Sequence, residues 1–435
     1  MHVLYRHLVR RHGVRYFSVF SRAFPELDVA HPRNNVPPSI RSLVRGPQLL
    51  DTPGHPLCTL KSIIVGYFES IKVDGKGFRS FEGELSPVVS VSQNFDELLT
   101  PVDHVSRRPS DTFYLSDTSL LRCHMTAYQT TLLRKGQRAF LMVGDVYRRD
   151  TVDATHSPVF HQLDGVRVWS QAQLPTRERE ALSAGDVAPA QAYILNDLKG
   201  VLEGLARRLF GPSAQLRWVD AHFPFTEPSL ELEVQWEGAW LELLGCGVIR
   251  GPILRACGTG KGAGHGDDIG WAFGLGLERL AMVLHSIPDI RLFWSRDPRF
   301  LSQFSGERVL AEAWEGKFTK FEPFSRHPAC FKDLAFWVPA GVAVVSEEDA
   351  GKEGGGLEGS VFHENDVHAA VREAAGLLVE SVTRIDRFKH PKTQKTSLCY
   401  RVNYRATDRT LTNEEVNVVM EKVRVAVREL GVELR

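Results

Sequence analysis

A chain of 435 residues, 43% hydrophobic and 24% charged, has room for two globular domains. Its 53 Lys+Arg balance 53 Asp+Glu, so no overall charge draws in a polyanion, and attraction to one has to come from local patches. No apolar run approaches the roughly 20 residues that cross a bilayer, and the six scattered cysteines form no CxxC pair, which argues against a zinc site or disulfide scaffold and fits a reducing compartment.

The first 25 residues carry Arg6, Arg10, Arg11, Arg15 and Arg22 without one acid. Leu4, Leu8, Val9, Tyr16, Phe17 and Phe20 interleave with them as in a basic amphipathic helix, the pattern of an organelle transit peptide; a basic tail for nucleic acid is the competing reading. A Pro-, Gly- and Arg-rich lead-in follows over 34–56. Spacing then predicts a helix over 55–69, a short strand at 84–89 carrying Pro87 at an edge, a short helix at 94–99 and a strand at 111–114. A helix opening near Leu120 and reaching Lys135 would have Thr126 as N-cap, placing His124, Thr126 and Gln129 near backbone donors able to hold an anionic group.

The centre of the chain is a hairpin. Ala139–Val143 reads as a buried strand, and Val159–Phe160 with Val166–Trp169 as its return. The polar turn between them bears Arg148, Arg149, Asp150 and His156, with Gln162 and Asp164 on the returning arm. An arginine fork matches phosphate bidentately, although such side chains also pair with one another on surfaces. Beyond it come a helix over 191–210, the aromatic HFPFT at 222–226 and a near-continuous apolar strand, 239–245, broken by Glu242. A carboxylate inside such a strand is costly unless it is paired or holds a cation.

Arg255–Asp268 looks like a phosphate loop, but Lys261 is followed by Gly262 where Ser or Thr is required, so it reads as a flexible surface insertion. Gly270–Met282 alternates glycines with bulky residues and leads into a helix carrying Arg279 beside its buried stripe. After a glycine-rich loop at 341–359, the pattern of 335–338, 365–379, 382–388, 398–404 and 413–428 is a split β-α-β. Eight basic residues between Arg384 and Arg409, with Tyr400 and Tyr404 among them, suit RNA or form a solvated face.

Taken together, the Pro87 strand, the Arg148 hairpin and the GLGLER helix resemble the three motifs of class II aminoacyl-tRNA synthetases. VGDVYRRDTVDATHSPVFHQLDGV, FPFTEPS and GWAFGLGLERLAM are similar to the phenylalanyl type, and RIDRFKHPKTQKTSLCYRVNYRATDRTLT to its ferredoxin-fold anticodon-binding domain.

The resemblance implies an α+β fold, an antiparallel sheet flanked by helices. It divides the chain into a transit peptide (1–25), a catalytic domain (26–304), a linker (305–321) and a ferredoxin-like anticodon-binding domain (322–435). It implies a monomeric enzyme of the mitochondrial matrix, with plastid or dual targeting as options, that uses ATP, Mg²⁺, phenylalanine and tRNA(Phe). Arg148 and Arg279 would be catalytic; ATP would also meet Asp150, Thr155, His156, Ser157 and Phe160. Phenylalanine would meet His124, Thr126, Ala127, Tyr128, Gln129, Gln162, Leu163, Asp164, Phe223, Phe225, Gly247 and Phe273. Glu242 and Glu227 would hold the metal, and Arg387, Lys389, Lys392, Arg401 and Arg405 would contact tRNA. Thr126 and Asp164 depart from the serine and glutamate usual there, and the shorter carboxylate puts its reach to an ammonium in question. The competing functional readings are an inactive RNA-binding paralogue and a class II synthetase for another amino acid.

Overall fold

The computed structural model describes residues 24–258, 268–295, 297–323, 327–345 and 361–435. The basic leader, up to residue 23, lies outside them, as do 259–267 of the expected insertion and 346–360 of the glycine-rich loop.

Period-two alternation governs the main sheet. Its strands are β1 (Arg79–Glu82), β4 (Ala139–Tyr147), β5 (Val159–Trp169), β6 (Leu216–Ala221), β7 (Thr226–Trp236), β8 (Ala239–Ile249) and β9 (Ile269–Gly276), while β2 (Val88–Ser90) and β3 (Ser119–Leu121) pair separately. The order is β1-β4-β5-β9-β8-β7-β6, antiparallel except for β1 against β4. One face is covered by the Pro56–Ser70, Ala188–Phe210 and Leu277–His285 helices. In the second of these, Ile194, Leu198, Leu202, Leu205 and Leu209 recur at helical spacing and are all buried. They meet Trp271, Leu275, Leu232 and Val234 from the strands in the largest core. The opposite face has a smaller core around Met125, Val166, Val168 and Ile249, and part of it stays open.

Several local expectations give way to the chain's own hydrogen bonding. Residues 111–114 make no strand beyond a single Tyr114–Leu120 bridge, because the Asn35 side chain takes the Tyr114 N–H at 2.7 Å. Expected as one helix, 94–99 is split into Val91–Asn94 and a 3₁₀ turn, Asp96–Leu98, and ends at Leu99 with φ 60°. The 84–89 strand shrinks to β2, with Pro87 outside it. Thr126 is no N-cap: it lies inside a 3₁₀ turn, Met125–Tyr128, ahead of the Gln129–Arg134 helix. The first two residues of the expected insertion close a helix, Gly251–Ala256, and the carboxylate of Asp268 at the insertion's end receives Arg138 at 2.8 Å. Within 305–321, Glu307–Trp314 is helical, and Trp314, Phe318 and Phe321 pack on the main core.

The C-terminal part is a second sheet, β13-β14-β10-β15, formed by β10 (Cys330–Val338), β13 (Val379–Lys389), β14 (Thr396–Tyr404) and β15 (Glu433–Leu434). The Glu364–Ala375 and Asn413–Arg428 helices share its buried core. Part of the glycine-rich segment is ordered as strand: β11 (Ala343–Val345) pairs in parallel with β12 (Val361–His363).

Candidate active site

Side-chain alternation in β5 sends Phe160, Gln162 and Asp164 to the open face of the sheet and Leu163 to the helix side. Alternation in β9 places Gly274 and Gly276 beside them, and a Cβ on Gly274 would sit 2.9 Å from Asp164 Oδ1 and push that carboxylate aside. The Met125–Tyr128 turn lies over this floor. Met125 N–H donates to Gln162 Oε1 at 3.3 Å, and the Thr126 hydroxyl donates to Asp164 Oδ2 at 2.7 Å. Thr126 is thus committed to Asp164, which is why it caps no helix.

Among the described residues, four buried polar atoms around this floor have no partner: His124 Nδ1, Gln129 Nε2 and Oε1, and Asp164 Oδ1. Orphaned polar groups are expensive in an interior, so their concentration here marks a site made for a polar ligand. Burial pushes the Asp164 carboxyl up to about 7, with the Thr126 hydroxyl and the Arg148 charge pulling the other way. Burial, aided by the Arg148 charge, pushes His124 down to about 3 and keeps its ring neutral.

An aromatic wall closes one side. The Phe223 and Phe225 rings are parallel within 7° with centroids 5.9 Å apart, and His124 lies 6.2 Å from Phe225. Gly245 makes room for them, since a Cβ there would lie 2.6 Å from Phe223. Gly247 is closed in by the Pro228 carbonyl instead. Phe273 is not part of this wall. It points to the helix side, stacked on Phe68 at 5.1 Å, one residue out of phase with the site-facing glycines. Leu163 is likewise core, and Ala127 and Tyr128 pack beneath the turn, the Tyr128 hydroxyl donating to the Ser86 carbonyl.

Arg148 follows β4. Its Nε donates to the Cys123 carbonyl at 3.0 Å, its guanidinium lies 5.1 Å from the Phe160 ring centre, and among the described residues its terminal nitrogens take no hydrogen-bond acceptor. Arg279 stands in the first turn after β9 and contacts Glu242 at 3.1 Å, both side chains largely exposed. The β7–β8 register sets Glu242 opposite Glu233 and Glu231 opposite Gly245, so three carboxylates share this strip, Glu233 being taken by Arg217. Burial and then the neighbouring Glu242 and Glu233 charges raise the pKa of Glu231. Glu227 does not join them. It precedes Ser229, the partner of Gly247, and so lies roughly 16 Å or more along the strands from Glu242 at 3.3 Å per residue. Among the described residues no three His, Cys, Asp or Glu side chains cluster as a metal site. Two carboxylates still suit Mg²⁺, which takes one or two from protein and the rest from phosphate and water.

In the turn, Asp153 rather than an outside ligand organises the expected phosphate contacts. Its carboxylate receives the Thr155 N–H and hydroxyl, the His156 N–H and the His156 ring. Despite partial burial these bonds hold it well below the usual carboxylate range. The Ser157 hydroxyl donates to the Val159 carbonyl. Asp150 gives its carbonyl to Arg372 of the C-terminal part at 2.6 Å.

Residues 54–178 and 184–304 match the family described as tRNA synthetases class II core domain (F), and 325–435 match the ferredoxin-fold anticodon binding domain. The chain is 47% identical to the chloroplastic/mitochondrial phenylalanine–tRNA ligase of Arabidopsis thaliana, covering 93% of this chain and 83% of that one. The mitochondrial phenylalanine–tRNA ligases of Mus musculus (42%, 96% and 88% covered) and Saccharomyces cerevisiae (37%, 88% of each) are also similar. The chain belongs to the phenylalanine–tRNA ligase family.

Set in that family, the arrangement shows what pattern reading left out. Glu231 was within reach, since Glu231–Val234 alternates charged with apolar residues and puts its acids on one face. The clamp between the two halves gave no sequence signal. Arg149 pairs with Asp366 at 3.0 Å, Arg372 donates to the carbonyls of Asp150 and Thr151, and Val152 N–H donates to His368 while its side chain enters the C-terminal core. Of the five basic residues expected on tRNA, Arg401 is held by Asp333 and Arg405 by Glu380, while Arg387 reaches the Val344 carbonyl. Lys389 and Lys392 lie exposed at and just beyond the end of β13.

Proposed function

We infer that the chain is a phenylalanine–tRNA ligase of the mitochondrial matrix, activating phenylalanine with ATP and transferring it to tRNA(Phe). The observation that carries this reading is the meeting of four unpartnered buried polar atoms with the Phe223–Phe225 wall: a zwitterion with an aromatic ring answers both. Ionised Asp164, with Gln162 and Gln129, holds the ammonium; the ring lies against Phe223 and Phe225.

Arg148, with free terminal nitrogens beside this pocket, holds the substrate carboxylate and the α-phosphate. It stabilises the charge that grows as carboxylate oxygen bonds to phosphorus and pyrophosphate leaves. Phe160 offers a face to adenine, and Arg279 covers it from the other side and meets the γ-phosphate, releasing Glu242 as it turns. Glu231 and Glu242 would hold Mg²⁺, which when bound would supply charge neutralisation to the phosphates. Thr155 and His156, set by Asp153, stand on the turn beside the phosphates. Exposed Lys389 and Lys392, with Arg387, meet tRNA phosphates, and Arg401 and Arg405 do so once exchanged from Asp333 and Glu380. We assign a single chain as the working unit, with both parts clamped together through 149–152.

ATP–pyrophosphate exchange measured across the amino acids tests this. Exchange with phenylalanine alone is expected; none with any amino acid, or exchange with a different one, refutes it.

A further inference from the structure

β9 ends at Gly276, opposite Gln162, and a helix begins at Leu277. β5 extends further, to Val159, so the edge at His161 would carry a buried N–H with no strand beside it. Glu278 fills that place. Its Oε2 accepts the His161 backbone N–H at 2.8 Å and its Oε1 meets His161 Nδ1 at 2.6 Å. Both residues are buried, 4% and 3% exposed, and the imidazole lies on Trp294 with centroids 6.1 Å apart. Burial works against a charged imidazole, yet the Glu278 carboxylate raises its pKa overall. One carboxylate therefore ties the first turn of the helix to the strand at two points.

What flanks each partner gives the tie its meaning. His161 separates Phe160 from Gln162, and alternation sends both of these to the open face. Glu278 precedes Arg279, which reaches over the same face to Glu242. Gly276 lies between them, and a Cβ there would meet nothing within 4 Å. We propose that the His161–Glu278 pair is a positioning device that fixes how far Arg279 stands from Phe160, and thereby the width of the adenine slot. This rests on the reading that adenine lies between those two side chains.

The test is ATP–pyrophosphate exchange by the full chain, with KM measured separately for ATP and phenylalanine. Glu278→Ala should raise the ATP KM about tenfold and leave the phenylalanine KM within about twofold. Glu278→Gln can still accept the backbone N–H and donate to a neutral Nδ1, so its ATP KM should stay within about threefold of the parent. The double variant His161→Leu/Glu278→Met leaves no buried charge and should fold even if the alanine variant fails to, with the same selective rise. An unchanged ATP KM in the folded double variant, or an equal rise in both KM values, overturns the proposal. Phe160→Ala separates the pair from the reading beneath it. If that variant leaves the ATP KM unchanged, the slot and the pair both fall; if it raises the ATP KM while the double variant does not, only the pair falls.

Discussion

Replacing Asp164 with asparagine should stabilise the ligand-free protein above neutral pH and at the same time remove most of its affinity for phenylalanine. One oxygen of Asp164 accepts the Thr126 hydroxyl and the other has no partner. Burial is the largest influence on the group and lifts its pKa from 3.8 to about 7. Because the folded value exceeds the unfolded one, the favourable state is the protonated one. Its contribution is complete below about pH 4 and is lost as pH rises through about 7. At 1.36 kcal/mol per pH unit, the ionised carboxylate then costs roughly 4 kcal/mol in the free protein at pH 8.5. The asparagine of the variant never ionises, so its melting midpoint should exceed the parent's by about 8 °C at pH 8.5, at roughly 2 °C per kcal/mol for a domain of this size. Near pH 5.5 the gap should be about half as large, roughly 2 kcal/mol, and it should close only below about pH 4.

Binding runs in the opposite direction. An ammonium needs the carboxylate, so below pH 7 phenylalanine must first displace a proton, and its KM should rise about tenfold per pH unit as pH falls, while staying flat above pH 8. His124, pushed down to about 3, does not titrate in that window. In Asp164→Asn the phenylalanine KM should rise about 100-fold and lose its acid limb. Thermal unfolding at the two pH values and exchange kinetics between pH 6 and 9 check both arms. A stability difference independent of pH, or a phenylalanine KM that keeps its acid limb in the variant, would refute the reasoning.

Arg148→Ala should lower the exchange rate about 10³-fold, the loss of roughly 4 kcal/mol of transition-state stabilisation; a near-normal rate would remove Arg148 from the mechanism. Glu231→Gln and Glu242→Gln should each raise the Mg²⁺ concentration for half-maximal exchange several-fold, whereas Glu227→Gln should not, and the reverse pattern would restore Glu227 as a ligand. Arg372→Ala strands the carbonyls of Asp150 and Thr151, a cost of about 2–3 kcal/mol; it should speed proteolysis within 149–152, and an unchanged cleavage rate would count against the clamp. An aromatic slot rejects an added hydroxyl only weakly, so discrimination against tyrosine should fall well short of about 10⁵ in kcat/KM, a ratio that needs a hydrogen-bonding site.

Much of the site was legible because its elements are local. The hairpin of β4 and β5 follows from apolar runs around a polar turn, and the last helix, expected over 413–428, is found there, opened by a Thr412 capping box. Two-residue alternation by itself could pair Gln162 with Asp164, whereas Phe223 and Phe225 sit in the turn between β6 and β7, where alternation does not apply.

Alternation states that neighbours face opposite ways; it does not say which way the site lies. That is why Phe273, drawn from a strand buried on one face and glycine-lined on the other, was expected in the pocket and is found stacked on Phe68. Tertiary structure alone decided that Glu231, not Glu227, stands near Glu242, because the register between β7 and β8 is set by packing across the sheet. Packing also turned the Thr126 hydroxyl from a cap into a partner of Asp164, joined His161 to Glu278 across more than a hundred residues, and seated Val152 in the core of the other domain. The sequence determined where most of the strands and helices run and which chemical groups they carry. Only the folded chain could bring remote groups within hydrogen-bonding distance, since those contacts depend on how covered faces fit together and not on spacing along the chain.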